Sequence, residues 1–217
     1  MIILDREETV TAVSPKLPSV MFQAVPSLGI TGHRPNKLPK EKDRFHALEK
    51  AVHYQLDCRL HEGFRCFYTG LADGADYMAT IYLAKKRNDF PDLMLFGIQP
   101  FPDYETFYEK RYGSIRTFYY MKCMLDELII LSGNYGEKES FHRRNKFIVR
   151  HSDAVLGICG ISNHSGSSNT IRYAREIHVP YWRIEPKPNT TYLPPPEDWY
   201  VEYRQDTGNI YRKHRDA

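Results

Sequence analysis

The chain has 217 residues, of which 41% are hydrophobic and 26% charged, with a formal net charge of +3. That is enough apolar material for one α/β domain with a proper core, so a largely disordered chain is excluded, and so small a basic excess does not by itself argue for nucleic acid. Cys58, Cys66, Cys123 and Cys159 form no CxxC pair; metal-type spacing is absent, Cys66 and Cys159 read as small core residues in apolar runs, and a reduced, cytoplasmic setting fits best.

In chain order, residues 1–26 read as an N-terminal extension. Pro15, Pro18 and Pro26 interrupt it, and residues 10–13 offer one edge strand at most. Its start, MIILDREETV, has no basic opening, no long apolar stretch and no small-residue cleavage site, so no signal peptide is expected. No apolar run approaches the roughly 20 residues that span a bilayer.

From Ser27 strands and helices alternate. Residues 27–31 form a short apolar run that stops at Gly32, the first buried strand. Helical spacing of Phe45, Leu48, Val52, Leu56 and Leu60 predicts a helix over about 40–61, stopped by Gly63. Strand two is 65–69, followed by a helix over 73–86. Strand three, 93–98, closes at Pro100, and helical pieces follow across 103–125. Strand four is 127–132, a helix covers 138–151, and strand five is 154–159. A Gly/Ser/Asn-rich loop spans 160–168 before a helix over 169–177 and a last strand over 180–184. Apolar runs separated by helices imply βαβ units, hence a Rossmann-like three-layer α/β fold with a mostly parallel sheet of about six strands. The domain is expected over 27–185, followed by a Pro/aromatic-rich tail, 186–217, that crosses the surface or reaches a neighbouring subunit.

In open parallel sheets, ligands sit beyond the carboxyl ends of the strands, where strand order reverses. Thr31, Gly32, His33 and Arg34 follow strand one. Gly32 permits close backbone approach, and Arg34 offers a planar two-pronged donor. Thr69-Gly70-Leu71-Ala72-Asp73-Gly74-Ala75-Asp76 follows strand two, where small residues at a helix start favour a phosphate on free backbone N–H groups. Ser165, Gly166, Ser167, Ser168, Asn169 and Thr170 form a hydroxyl-rich loop after strand five, which can offer amides and hydroxyls to the same ligand. Arg143, Arg144 and Asn145 lie on the preceding helix, and adjacent cations point in different directions, so one arginine faces the site. Asp73 and Asp76 read equally as caps and first-turn acids.

These residues resemble the YpsA-like branch of the SLOG superfamily, which also includes the DprA/Smf proteins and the LOG-type nucleoside-monophosphate phosphoribohydrolases. The branch carries TGHR, TGLAxGAD, a strand ending in PF, RNxxMVDxSD and GGTxxTxxYA. Here these read Thr31–Arg34, Thr69–Asp76, Pro100-Phe101, Arg144–Asp153 and Ser165–Ala174. The resemblance covers about residues 27–184 and implies a Rossmann-like fold and a nucleotide-derived ligand, with the Ser165–Thr170 loop holding phosphate and TGHR and Arg144-Asn145 lining the rest of the cleft. Ser165 and Ser167 replace a glycine and a threonine of the branch, and Arg150 replaces an aspartate. Thr170 stands where LOG enzymes carry glutamate, and a threonine cannot serve as general base.

The leading expectation is a sensor or binding protein for a nucleotide, ADP-ribose, NAD or nucleotide-sugar ligand, held by phosphate-binding loops that include Gly70, Gly74 and Asp76. A homo-oligomer without a metal or membrane association is expected. An enzyme acting at an N-glycosidic bond is the alternative, with Asp73, Asp76 and Glu105 as candidate acids. A DprA-like single-strand binder is the third reading, with Arg111, Arg116, Tyr119, Tyr120 and Lys122 as its basic and aromatic mix, together with the tail from Tyr200 to Arg215.

Overall fold

Leu28 and Ile30 point to one side of the first strand and Gly29 and Thr31 to the other, and all four are buried. A strand covered on both faces belongs inside a parallel sheet with helices above and below. The structure, a computed structural model, describes residues 25–131, 136–160 and 165–186, and also the backbone of three outlying strands. Residues 10–13 and most of the C-terminal tail lie outside the described residues.

The strands are β1 (Ile2–Leu4), β2 (Ser27–Gly32), β3 (Cys66–Thr69), β4 (Met94–Gln99), β5 (Glu127–Leu131), β6 (Ala154–Ile158), β7 (Tyr181–Ile184), β8 (Val201–Arg204) and β9 (Ile210–Arg212). They lie in the order β1-β5-β4-β3-β2-β6-β7-β8-β9. The six strands expected from sequence are the central, all-parallel block from β5 to β7. β1 adds a parallel strand beside β5, whereas β8 and β9 extend the other edge antiparallel.

The helices are α1 (Lys42–His61), α2 (Ala75–Lys86), α3 (Tyr104–Tyr112), α4 (Arg116–Cys123), α5 (Glu137–Arg150) and α6 (Gly166–Glu176). On one face of the sheet, Leu48, Val52, Leu56 and Leu60 of α1 and Met78, Ala79 and Leu83 of α2 pack with Leu28, Ile30, Leu95 and Leu156. On the other face, Ile148 and Val149 of α5 and Ile171 and Ala174 of α6 bury apolar groups with Ile98, Leu131 and Val155. Tyr104, Tyr108, Phe118 and Met121 of α3 and α4 form a separate aromatic cluster with Leu71. Cys66 and Cys159 are buried, as their apolar surroundings predict. Among the described residues, no helix is long and apolar enough to cross a membrane.

Strand order reverses at β2. It pairs with β3 on one side and with β6 on the other, so the chain first builds outward to β5 and then returns to lay β6 and β7 across the starting strand. The crevice past the carboxyl ends of β2 and β6 is the place where such sheets receive ligands.

Candidate functional site

Three turns meet at that crevice. Gly32 ends β2, and a Cβ there would lie 2.2 Å from the Cβ of Ala75, so only glycine lets the start of α2 approach this closely. Gly74 has a φ of +96° and sits against the His33 carbonyl, 2.6 Å from where its Cβ would be. The Ala75 N–H donates to that carbonyl at 3.1 Å, and the His33 N–H donates to Ile158 O at 2.9 Å. From the other side, Ser167 Oγ donates to Gly32 O at 2.7 Å, and the Gly160 N–H donates to His33 Nε2 at 3.1 Å. The last bond requires Nε2 of His33 to be unprotonated.

A side-chain relay joins the second turn to the third. Arg144 Nη1 donates to Gly70 O at 2.7 Å, while its Nε and Nη2 donate to Asn145 Oδ1 at 3.1 and 2.9 Å. Asn145 Nδ2 then donates to Gly166 O at 3.3 Å. Arg144 and Asn145 are both buried, and Arg143 is half-buried and does not line the cleft. Of two adjacent cations, one therefore faces the site, as helix geometry requires.

The resulting cleft has a volume of about 700 Å³. Of the residues placed at the site from sequence, Thr31, Gly32, His33, Arg34, Asp73, Asp76, Arg144, Asn145, Ser165, Gly166 and Ser167 line it. Gly70, Gly74, Ser168, Asn169 and Thr170 do not. Gly70 and Gly74 support its floor: one takes the Arg144 bond, and the other carries the turn beneath His33.

The third turn differs from the expected open loop. α6 starts at Gly166, three residues before Asn169, because Ser165 caps it by accepting the Ser168 N–H at 3.1 Å. Its hydroxyls bind protein groups. Ser168 Oγ donates to Gly160 O, Ser167 Oγ to Gly32 O, and Thr170 Oγ1 to Gly166 O. Asn169 Oδ1 accepts from Arg172. What the turn retains for a ligand is the pair of N–H groups at Gly166 and Ser167, which no helical carbonyl can reach. The start of α2 is also less open than expected. Its amides are engaged, Gly74 N–H by Asp73 Oδ1 at 2.8 Å and Ala75 N–H by His33 O.

A family model described as the YspA SLOG family matches residues 28–179. The chain belongs to the YspA SLOG family. No curated protein matches it. Among solved structures it is similar to DNA processing protein A from Helicobacter pylori, a protein described by its single-stranded DNA binding mode. The two share 19% identity over 77% of this chain and 69% of that one, with a TM-score of 0.47.

The SLOG cleft holds an unusual acid. Asp76, 4% exposed, accepts the Ala72 N–H at 3.3 Å. Burial pushes its pKa up to about 6, although Arg144, the N–H groups of Ala72 and Gly70, and Arg34 all pull it the other way. Leu71 beside it is fully buried with a φ of +55°, a left-handed conformation that costs a leucine free energy and that the Asp76 carboxylate helps hold. Glu105 lies elsewhere. On α3, it pairs with Lys122 at 2.6 Å and accepts from Tyr119 OH at 2.9 Å, which holds its carboxyl below the usual range. It lines a different cavity.

Sequence reasoning did not assign Asn36, Lys37, Arg111, Tyr112 and Phe141 to the SLOG cleft, yet all five line it. Phe141 precedes Arg144 by three positions on α5, and its ring lies 5.3 Å from the guanidinium carbon of Arg144 and 5.7 Å from that of Arg34. That spacing was a readable signal. Arg111 and Tyr112 end α3, whose path back over the cleft depends on long-range packing. Among the described residues, no group of three or more His, Cys, Asp or Glu side chains could hold a metal ion.

Proposed function

We propose that the cleft binds the phosphate-bearing part of a nucleotide or nucleotide-derived ligand of the ADP-ribose, NAD or nucleotide-sugar kind, and that the protein acts as a binding or sensing protein. One observation carries this reading. The first two amides of α6 and the cations Arg34, Lys37, Arg111 and Arg144 border a single 700 Å³ cleft at the strand-order reversal. A helix N-terminus and planar guanidinium groups suit phosphoryl oxygens, and the volume suits a nucleotide-sized molecule. Nearby hydroxyls are tied to the backbone, so the amides and cations carry the recognition.

Ligand binding to the native state raises stability by about 2.7 kcal/mol at a hundredfold excess over the dissociation constant. A thermal-shift scan with nucleoside monophosphates, cyclic nucleotides, NAD and ADP-ribose tests the reading. A rise in melting temperature with at least one of them, lost in Arg144→Ala, is expected; a flat response to all of them contradicts it.

Asp76 favours a second reading, an enzyme acting at the N-glycosidic bond of a nucleotide. It is an acid on the cleft wall whose pKa, about 6, leaves it able to exchange a proton near neutral pH. Chromatography after incubation separates the two readings. Base release that disappears in Asp76→Ala supports an enzyme, and unchanged nucleotides support binding alone.

A further inference from the structure

Tyr104, Tyr108 and Tyr112 recur every fourth residue along one face of α3. The middle hydroxyl is satisfied, at 2.8 Å from Thr117 Oγ1. The outer two are not: the hydroxyls of Tyr104 and Tyr112 are buried and have no hydrogen-bond partner among the described residues. A buried hydroxyl without a partner is costly, so one that borders a cleft is a place for a ligand's acceptor. Of the two, Tyr112 lines the cleft, whereas Tyr104 is fully buried in the aromatic cluster with Tyr108 and Phe118.

Arg34 supplies the second donor. Its guanidinium carbon sits 5.8 Å from the Tyr112 ring and 5.7 Å from the Phe141 ring, and the group makes no hydrogen bond or ion pair among the described residues. Phe141 in turn lies 6.0 Å from the Tyr104 ring, so the buried aromatic cluster of α3 backs both donors. Arg144, by contrast, is held by Gly70 and Asn145.

A phenol and a guanidinium without hydrogen-bond partners among the described residues suit an acceptor-rich anionic group. We propose that Arg34 and Tyr112 form a second anion subsite, separate from the Gly166 and Ser167 amides, so that the preferred ligand presents at least two phosphoryl groups, as the diphosphate of an ADP-ribose-type nucleotide does. This rests on the nucleotide reading of the cleft and narrows it. Two carboxylates share the wall. Asp73 is engaged by the Gly74 N–H. Asp76 is faced by Arg144, Arg34 and the Ala72 and Gly70 amides.

Isothermal titration of the full chain at pH 7 with ADP-ribose and with AMP tests the subsite in the wild type, Tyr112→Phe and Arg34→Gln. Phenylalanine keeps the ring packing and removes only the orphaned hydroxyl, and Arg34→Gln carries the test if Tyr112→Phe fails to fold. ADP-ribose is expected to bind at least tenfold tighter than AMP. Tyr112→Phe should weaken ADP-ribose about fivefold, the worth of one hydrogen bond, and AMP less than twofold. Wild-type affinity in every variant, or equal weakening of both probes, overturns the second subsite and leaves the nucleotide reading standing. No binding of either probe by the wild type overturns the nucleotide reading, and the subsite falls with it.

Discussion

Gly32 and Ala75 hold the turn after β2 and the start of α2 together as one piece: a Cβ on Gly32 would lie 2.2 Å from that of Ala75, and 3.2 Å from Ile158 Cβ on the neighbouring strand. Gly32→Ala must therefore push α2 away from the sheet. Overpacking of this kind costs about 1–3 kcal/mol. For a chain of this size each kcal/mol lowers the melting temperature by about 2–4 °C. Thermal unfolding followed by circular dichroism checks the size of the drop, and ligand-induced shifts should shrink with it because Arg34 is carried on the displaced turn.

Asn145 links Arg144 to the first carbonyl of α6. Asn145→Ala leaves Arg144 without an acceptor for two of its nitrogens and should cost about 2 kcal/mol in urea unfolding. Asn145→Asp keeps the acceptor and loses only the donor to Gly166 O, so its loss should be smaller. Equal losses in both variants would show that the Arg144 bonds contribute nothing.

Asp76 sets a pH dependence with a defined sign. Its pKa rises from 3.8 to about 6 in the folded protein. The native state thus holds this proton more tightly than the unfolded chain. The contribution to stability is full below pH 3.8 and is lost as pH rises through about 6. In Asp76→Asn the group no longer titrates. Between pH 4 and pH 7 the variant should gain about 2 kcal/mol relative to the wild type. Denaturant unfolding of both proteins across that range measures the change. A constant difference would mean that Asp76 is not desolvated.

Thr170 is 1% exposed, and its hydroxyl bonds Gly166 O within α6. Restoring the glutamate of the LOG enzymes at this position therefore puts a carboxylate into the helix–sheet interface and not into the cleft. Thr170→Glu should destabilise the protein by several kcal/mol and confer no release of base from AMP. Calorimetry and chromatography check the two halves of this prediction separately.

The parallel block was legible because its strands are short apolar runs punctuated by Gly and Pro, and the crevice followed from the turns placed after β2, β3 and β6. The use of each turn was less legible. Ser165, Ser167, Ser168 and Thr170 look like ligand groups in sequence, yet a hydroxyl beside a helix start competes for nearby backbone groups, and here all four do so. Gly74 looked like a source of open amides, but its positive φ serves the contact with His33. Tyr104 and Tyr112 lie in a stretch, 103–125, that reads only as helical pieces. Nothing in their spacing reveals that Thr117 reaches only Tyr108. Strands β8 and β9 are only four and three residues long and rich in charge, too short for a period-two pattern to stand out.

The most direct test is a crystal structure of the protein with ADP-ribose. The account predicts one phosphoryl group on the Gly166 and Ser167 amides beside Arg144, with the second within hydrogen-bonding reach of Arg34 and Tyr112. A ligand bound on another face, with the cleft between Gly32 and Gly166 left to solvent, would contradict it.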